Sequence, residues 1–271
     1  MRQNDERIGS PAPPPPVIPQ GSAGVLNYVI PTEVVDIPSK GRFYDPEHPL
    51  HNKEYVEIKH MTAKEEDILT SASLVEKGIV LDHLIQSLLI DKSINAKTLF
   101  GGDRNAILLN ARINAYGPDY KATSQCSGCG HFTDAEFNLS DIKNKEMDEN
   151  GAPSVELPKT KYPVTMKYLT AHEEELLQKE VDKRAKLGYG DNALTTFLKF
   201  VVTSINGVKA SDSSVNEFIE NMPAADAKHI KNYYADTKPD VDFSLEVECE
   251  SCSHTERRVV PITAQFFWPE S

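Results

Sequence analysis

The residues in this chain best suited to chemistry are its four cysteines, which form two C-x-x-C pairs, Cys126/Cys129 and Cys249/Cys252. A tight turn carrying two cysteines aims both sulfurs at one point. Two such knuckles complete a tetrahedral four-thiolate site of the kind that holds structural zinc. Gly130 follows the first pair and supplies the positive φ that such a turn can need. The pairs are 120 residues apart, from Cys129 to Cys249, so the metal would join two distant parts of the chain. A site with four sulfurs has no open position for water, which makes a structural zinc the expectation and a catalytic one not. His131 and His254 stand just outside the pairs. They read as partly exposed histidines, with replacement of a cysteine ligand as the alternative. A redox C-x-x-C usually stands alone at a helix N-terminus, whereas here there are two and each follows a strand-like run. Disulfides are not expected either, because the N-terminus has no apolar signal region for secretion.

Other chemistry is hard to find. The sequence has no P-loop and no G-x-G-x-x-G after a strand. His172–Glu173 begins like a metalloprotease helix, but no second histidine follows at the required spacing. The acidic clusters at 65–67 and 173–175 are explained by helix starts, where carboxylates favour the dipole. No catalytic set is visible, so the chain is not expected to be an enzyme. The net charge is −12, from 29 Lys and Arg against 41 Asp and Glu. A field of that sign disfavours nucleic acid, and the only basic cluster noted is Arg257–Arg258. The longest apolar stretches, 81–90 and 194–202, are too short to span a bilayer.

The elements that must position the cysteines read as two copies of one pattern. VEIKHMTAKEEDIL at 56–69 matches VTMKYLTAHEEELL at 164–177, with seven of fourteen pairs identical. Each begins as a short strand and runs into a capping box, Thr62 with Glu65 and Thr170 with Glu173. A helix follows at 79–90 and at 193–205. Further helical stretches lie at 102–116 and at 214–234, the latter broken in two by Pro223. Each copy then reaches its cysteines, with Asp119–Tyr120 and Asp242–Phe243 equally placed before them. Residues 132–139 and 255–262 read as returning strands. The expected fold is therefore α+β and predominantly helical: two tandem copies of strand, helices and knuckle, forming a pseudo-twofold body around a shared zinc-ribbon-like site.

The domain reading follows. Residues 1–24, with their proline run at 11–16, form a disordered Pro-rich arm. Residues 25–53 are an extended or irregular lead-in, 54–140 the first repeat, 141–161 a linker, and 162–271 the second repeat. The C-terminal aromatics Phe266, Phe267 and Trp268 are either core packing beside the zinc or an anchor for a partner protein.

With these residues in view, the chain resembles the baseplate hub proteins of T-even-like contractile-tailed phages. The resemblance rests on IPSKGRFY at 37–44, MTAKEE at 61–66, FGGDRNAILLNARINAYGPDY at 100–120 and the Cys126/Cys129 knuckle. It covers about a third of the chain. It implies a structural or assembly role at the baseplate hub, other phage tail proteins as partners, and a place in the virion tail baseplate, with host cytoplasm during assembly. The alternatives are a zinc-ribbon protein associated with nucleic acid and, further off, an enzyme with a site between the two copies.

Overall fold

A computed structural model of the chain describes residues 29–145, 153–186, 192–260 and 262–268. The Pro-rich arm, the middle of the linker and residues 187–191 lie outside the described residues. The architecture is mixed α and β. Among the described residues it comprises eight α-helices and four small antiparallel sheets, three of two strands and one of four.

The chain enters at β1 (Thr32–Asp36), which pairs with β2 (Tyr55–Lys59) in the register Val35↔Val56. Alternation puts Val35, Val56 and Ile58 inside and leaves Val34 and Tyr55 outside. Between these strands, residues 37–53 fold into a succession of turns. Gly41 sits at φ +68°, and a Cβ there would lie 2.2 Å from the Leu50 carbonyl oxygen, so only glycine fits.

After β2, Thr62 caps α1 (Ala63–Leu69) as expected: the Thr62 N–H donates to Glu65 Oε2 at 2.9 Å. Helices α2 (Ala72–Glu76) and α3 (Val80–Leu88) follow. The α3 residues Val80, Leu84, Ile85 and Leu88 form its buried stripe. Helix α4 (Gly101–Tyr116) runs to the first knuckle hairpin, β3 (Asp119–Gln125) and β4 (Phe132–Asn138).

Regular structure resumes before the end of the expected linker. Strand β5 (Ser154–Glu156) pairs with β6 (Pro163–Met166) in the register Val155↔Val164. The capping box recurs at Thr170 and Glu173, with the Thr170 N–H 2.9 Å from Glu173 Oε2, at the start of α5 (Ala171–Lys186). Helix α6 (Ala193–Val201) is shorter than expected, because Val202–Ile205 is a strand, β7. Its β-branched residues suit a sheet, and it turns at Asn206 and Gly207, both at positive φ, into β8 (Val208–Lys209). Pro223 divides the next helical stretch into α7 (Ser213–Asn221) and α8 (Ala224–Thr237). The second knuckle hairpin is β9 (Ser244–Glu248) with β10 (Thr255–Val259).

All these elements belong to one compact unit, Pro31–Ser271, with a continuous apolar core. Two buried carboxylates hold turns to helix starts. Asp103, at the third position of α4, accepts from Ser39 N at 2.9 Å, Ser39 Oγ at 2.6 Å and Tyr44 Oη at 2.7 Å. Asp226, at the third position of α8, accepts from Lys159 N at 2.8 Å and from Thr160 N and Oγ1. The carboxylates face the positive ends of their helices, which offsets part of the cost of burial.

Candidate metal centre

Each cysteine pair sits at the tip of a hairpin. The ladder of β3 and β4 ends at Gln125↔Phe132, and that of β9 and β10 ends at Glu248↔Thr255. The two tips close in the same way. Cys126 N donates to His131 O at 2.8 Å, and Gly130 N to Cys126 O at 2.9 Å. Cys249 N donates to His254 O at 3.0 Å, and Ser253 N to Cys249 O at 2.9 Å. Both turns need a positive φ one residue after the second cysteine: +75° at Gly130 and +54° at Ser253.

The four Sγ atoms all lie within 4.8 Å of one another. Two contacts cross between the hairpins: Cys126 to Cys252 at 3.7 Å and Cys129 to Cys249 at 3.6 Å. A disulfide needs about 2.05 Å, so these are not bonded pairs. Four sulfurs at about 2.3 Å from a central zinc stand about 3.8 Å apart in a tetrahedron. The observed spacing fits such an ion, and the group could hold a metal.

The four sulfurs also compete for negative charge. Burial opposes ionisation of Cys249, but Thr133 Oγ1, the N–H groups of Ser251 and Cys252, and Cys129 outweigh it and bring the thiol down to about 6. Cys252 goes the other way, up to about 12: the His254 N–H favours its thiolate, but the sulfurs of Cys129, Cys126 and Cys249 prevail. Four thiolates cannot share this space without a cation.

Among the described residues the ligating group contains the four cysteines and neither histidine. His131 is exposed. The His254 ring lies against Gly128, where a Cβ would come within 3.4 Å of its Cγ. Residues that the spacing of cysteines does not reveal tie the two tips together. Ser127 Oγ donates to Glu256 Oε2 at 2.8 Å, Thr133 Oγ1 to Cys249 Sγ at 3.6 Å, and Arg258 Nη2 to the Gln125 carbonyl. The only sequence signal for them was the Arg257–Arg258 pair. In the structure Arg257 is engaged with Asp242 at 2.6 Å and Arg258 with Glu256.

The C-terminal aromatics divide. Phe266 and Phe267 are buried, with 1% and 0% exposure, whereas Trp268 is 37% exposed. The Phe266 ring packs on Tyr120 and Phe243 beneath the hairpins. Its carbonyl accepts from the buried Arg112 Nε at 3.1 Å. Arg112 also donates to the carbonyls of Gly117 and Asp119, so three backbone oxygens surround its guanidinium.

A cavity of about 1030 Å³ lies between the turns at 42–52 and residues 166–173. Three of its titratable groups are engaged in holding the fold. Tyr44 is raised by burial and by Asp103, to which it donates. His48 is lowered by burial and bonds Thr98 at 2.9 Å. Burial would raise Glu173, but Lys167 and the Thr170 cap bring it down. No described helix is long and apolar enough to cross a membrane.

No curated protein and no solved structure matches the chain. A family model does: the one described as T4 bacteriophage base plate protein aligns with residues 32–268. That match runs through both knuckle hairpins and from the first strand to the exposed tryptophan, and the chain belongs to the T4 bacteriophage base plate protein family.

Proposed function

We propose that this protein is a structural or assembly component of the central hub region of a contractile tail baseplate, and that it works by docking other tail proteins. The observation that carries this reading is the family match over residues 32–268, essentially the whole described body. The engagement of Tyr44, His48 and Glu173 in hydrogen bonds that hold the fold favours a role without catalysis. The charge of −12 weighs against the nucleic-acid alternative. The site of action is the virion tail baseplate, reached from host cytoplasm during assembly. Of the three C-terminal aromatics, Trp268 is the one placed to touch a partner.

In this reading the four cysteines hold one structural zinc, and the sulfur spacing of 3.6 and 3.7 Å supports it. The body is a duplication with a pseudo-twofold relation. Lys59, Thr62 and Glu65 recur 108 positions on as Lys167, Thr170 and Glu173, with the same lysine-to-glutamate pairing. Asp103 and Asp226 hold equivalent turns, 123 positions apart, and the knuckles are separated by the same interval.

Cross-linking mass spectrometry on purified virions tests the hub assignment. Stoichiometric presence, with cross-links to proteins at the tail axis, is the expected result. Cross-links confined to the baseplate periphery would refute it. Absence from virions, with the chain bound to hub precursors in infected cells, would select the assembly role.

A further inference from the structure

A second feature stands apart from the metal centre. A groove of about 570 Å³ runs between α1 and α3, and its lining contains Lys59, Lys64, His83 and Lys92 but no carboxylate. The fold assembles this cluster from three places. The capping box draws Lys59 to the end of β2, where its Nζ meets Glu65 Oε1 at 2.6 Å. Lys64 lies in the first turn of α1. Lys92 folds back over the C-terminus of α3 and donates to the carbonyls of Gln86, Ser87 and Leu89.

The one buried acid nearby is already committed. Glu65 receives Lys59 and Ser87 on Oε1, and the Thr62 N–H and hydroxyl on Oε2. It balances one of three ammonium groups. Lys64 and His83 have exposed side chains that make no hydrogen bond or ion pair among the described residues. Burial lowers the Lys92 ammonium, and Lys59 and Lys64 lower it further by repulsion. Ile68 and the 41% exposed Ile90 give the groove an apolar wall. On a chain with a net charge of −12, a groove lined by three ammonium groups and no carboxylate, beside an exposed isoleucine, is a local positive patch.

We propose that this groove docks an acidic segment of a partner polypeptide, with carboxylates on Lys59, Lys64 and His83 and an apolar side chain against Ile68 and Ile90. Complementarity of charge selects the occupant. A long phosphate backbone would run past the groove onto a chain whose net charge is −12, which disfavours it, whereas a short acidic segment meets the groove alone.

The test uses the full chain and a fluorescent peptide, Glu-Glu-Leu-Glu-Glu, followed by anisotropy at low and high salt. Binding at low salt is expected, weakened about tenfold by Lys64→Glu, with His83→Glu acting in the same direction. Lys64 and His83 are exposed, so unchanged melting temperatures will show that these variants fold. Lys228→Glu, on the exposed side of α8, should leave binding as it was. Absence of binding, or binding indifferent to Lys64→Glu, would overturn the proposal. A single-stranded oligonucleotide that bound more tightly than the peptide, with the same dependence on Lys64, would also overturn it and assign the groove to nucleic acid.

Discussion

Replacing Cys249 by serine removes one sulfur from the four-cysteine cluster and little else. The side chain is nearly the same size, and a serine hydroxyl can still meet Thr133 Oγ1 and the N–H groups of Ser251 and Cys252 that reach the sulfur. The larger effect is on the unfolded chain. A zinc held by both pairs closes a loop of 120 residues between Cys129 and Cys249. By analogy with a cross-link over a loop of that length, loss of the tie costs about 5 kcal/mol. Net stabilities are about 5–15 kcal/mol, so the variant should lose a large share. With a urea dependence of about 2.5 kcal/mol per molar, the unfolding midpoint should fall by about 2 M. The assay is urea unfolding of wild type and variant, each with and without a strong chelator, beside metal analysis by mass spectrometry. Wild type should carry one zinc per chain and fall to the midpoint of the variant when chelated. Cys129→Ser should match Cys249→Ser, since either opens the same loop. A chelated wild type that kept its midpoint would refute the reasoning. It would mean that the contacts of Ser127, Glu256 and Arg258 hold the hairpins together unaided.

Further outcomes follow from the packing. Arg112→Met strips the donors from the carbonyls of Phe266, Gly117 and Asp119; thermal unfolding should report a loss of about 3 kcal/mol, set by the buried oxygens left unpaired. Gly102→Ala would place a Cβ 2.2 Å from the Pro239 carbonyl oxygen, and calorimetry should show about 1–3 kcal/mol of destabilisation from overpacking. Glu65 has a pKa of about 2 against an ordinary 4.5, because bonds from Lys59, Ser87 and Thr62 outweigh the opposing effect of burial. Its contribution is full above pH 4.5 and is lost as pH falls toward 2; Glu65→Gln should flatten the stability curve in that window relative to wild type, and parallel curves would count against the assignment.

What could be read in the sequence was local. The knuckles were legible because C-x-x-C fixes its own geometry within four residues. The capping boxes were legible because Thr and Glu three apart answer each other's backbone. Pro223 marked the division of α7 from α8 for an equally local reason. The missed features depend on distant chain. Asp103 and Asp226 look like ordinary first-turn acids, and their partners at Ser39 and Thr160 lie more than sixty residues away. Strand β5 fell inside a stretch read as linker, because three residues leave no periodicity to detect. The stretch from Val202 to Ile205 reads as helix because the apolar spacing of α6 continues into it. The Asn206–Gly207 dipeptide was the signal for a hairpin, and it outranks such spacing. Phe266 and Phe267 could not be told from surface anchors until the hairpins that cover them were in place.

Helix α4 has a consequence for force. Its C-terminal half holds β1 through Asn114 and Glu33, its first turn holds the 37–44 segment through Asp103, and Arg112 grips the backbone at Phe266. The beginning and the end of the compact unit are thus pinned to the same sixteen-residue rod. Tension between them would pass across one helix and shear short polar contacts, without first peeling the knuckle hairpins apart. Under such a load the strain would meet α4 before it met the cysteines.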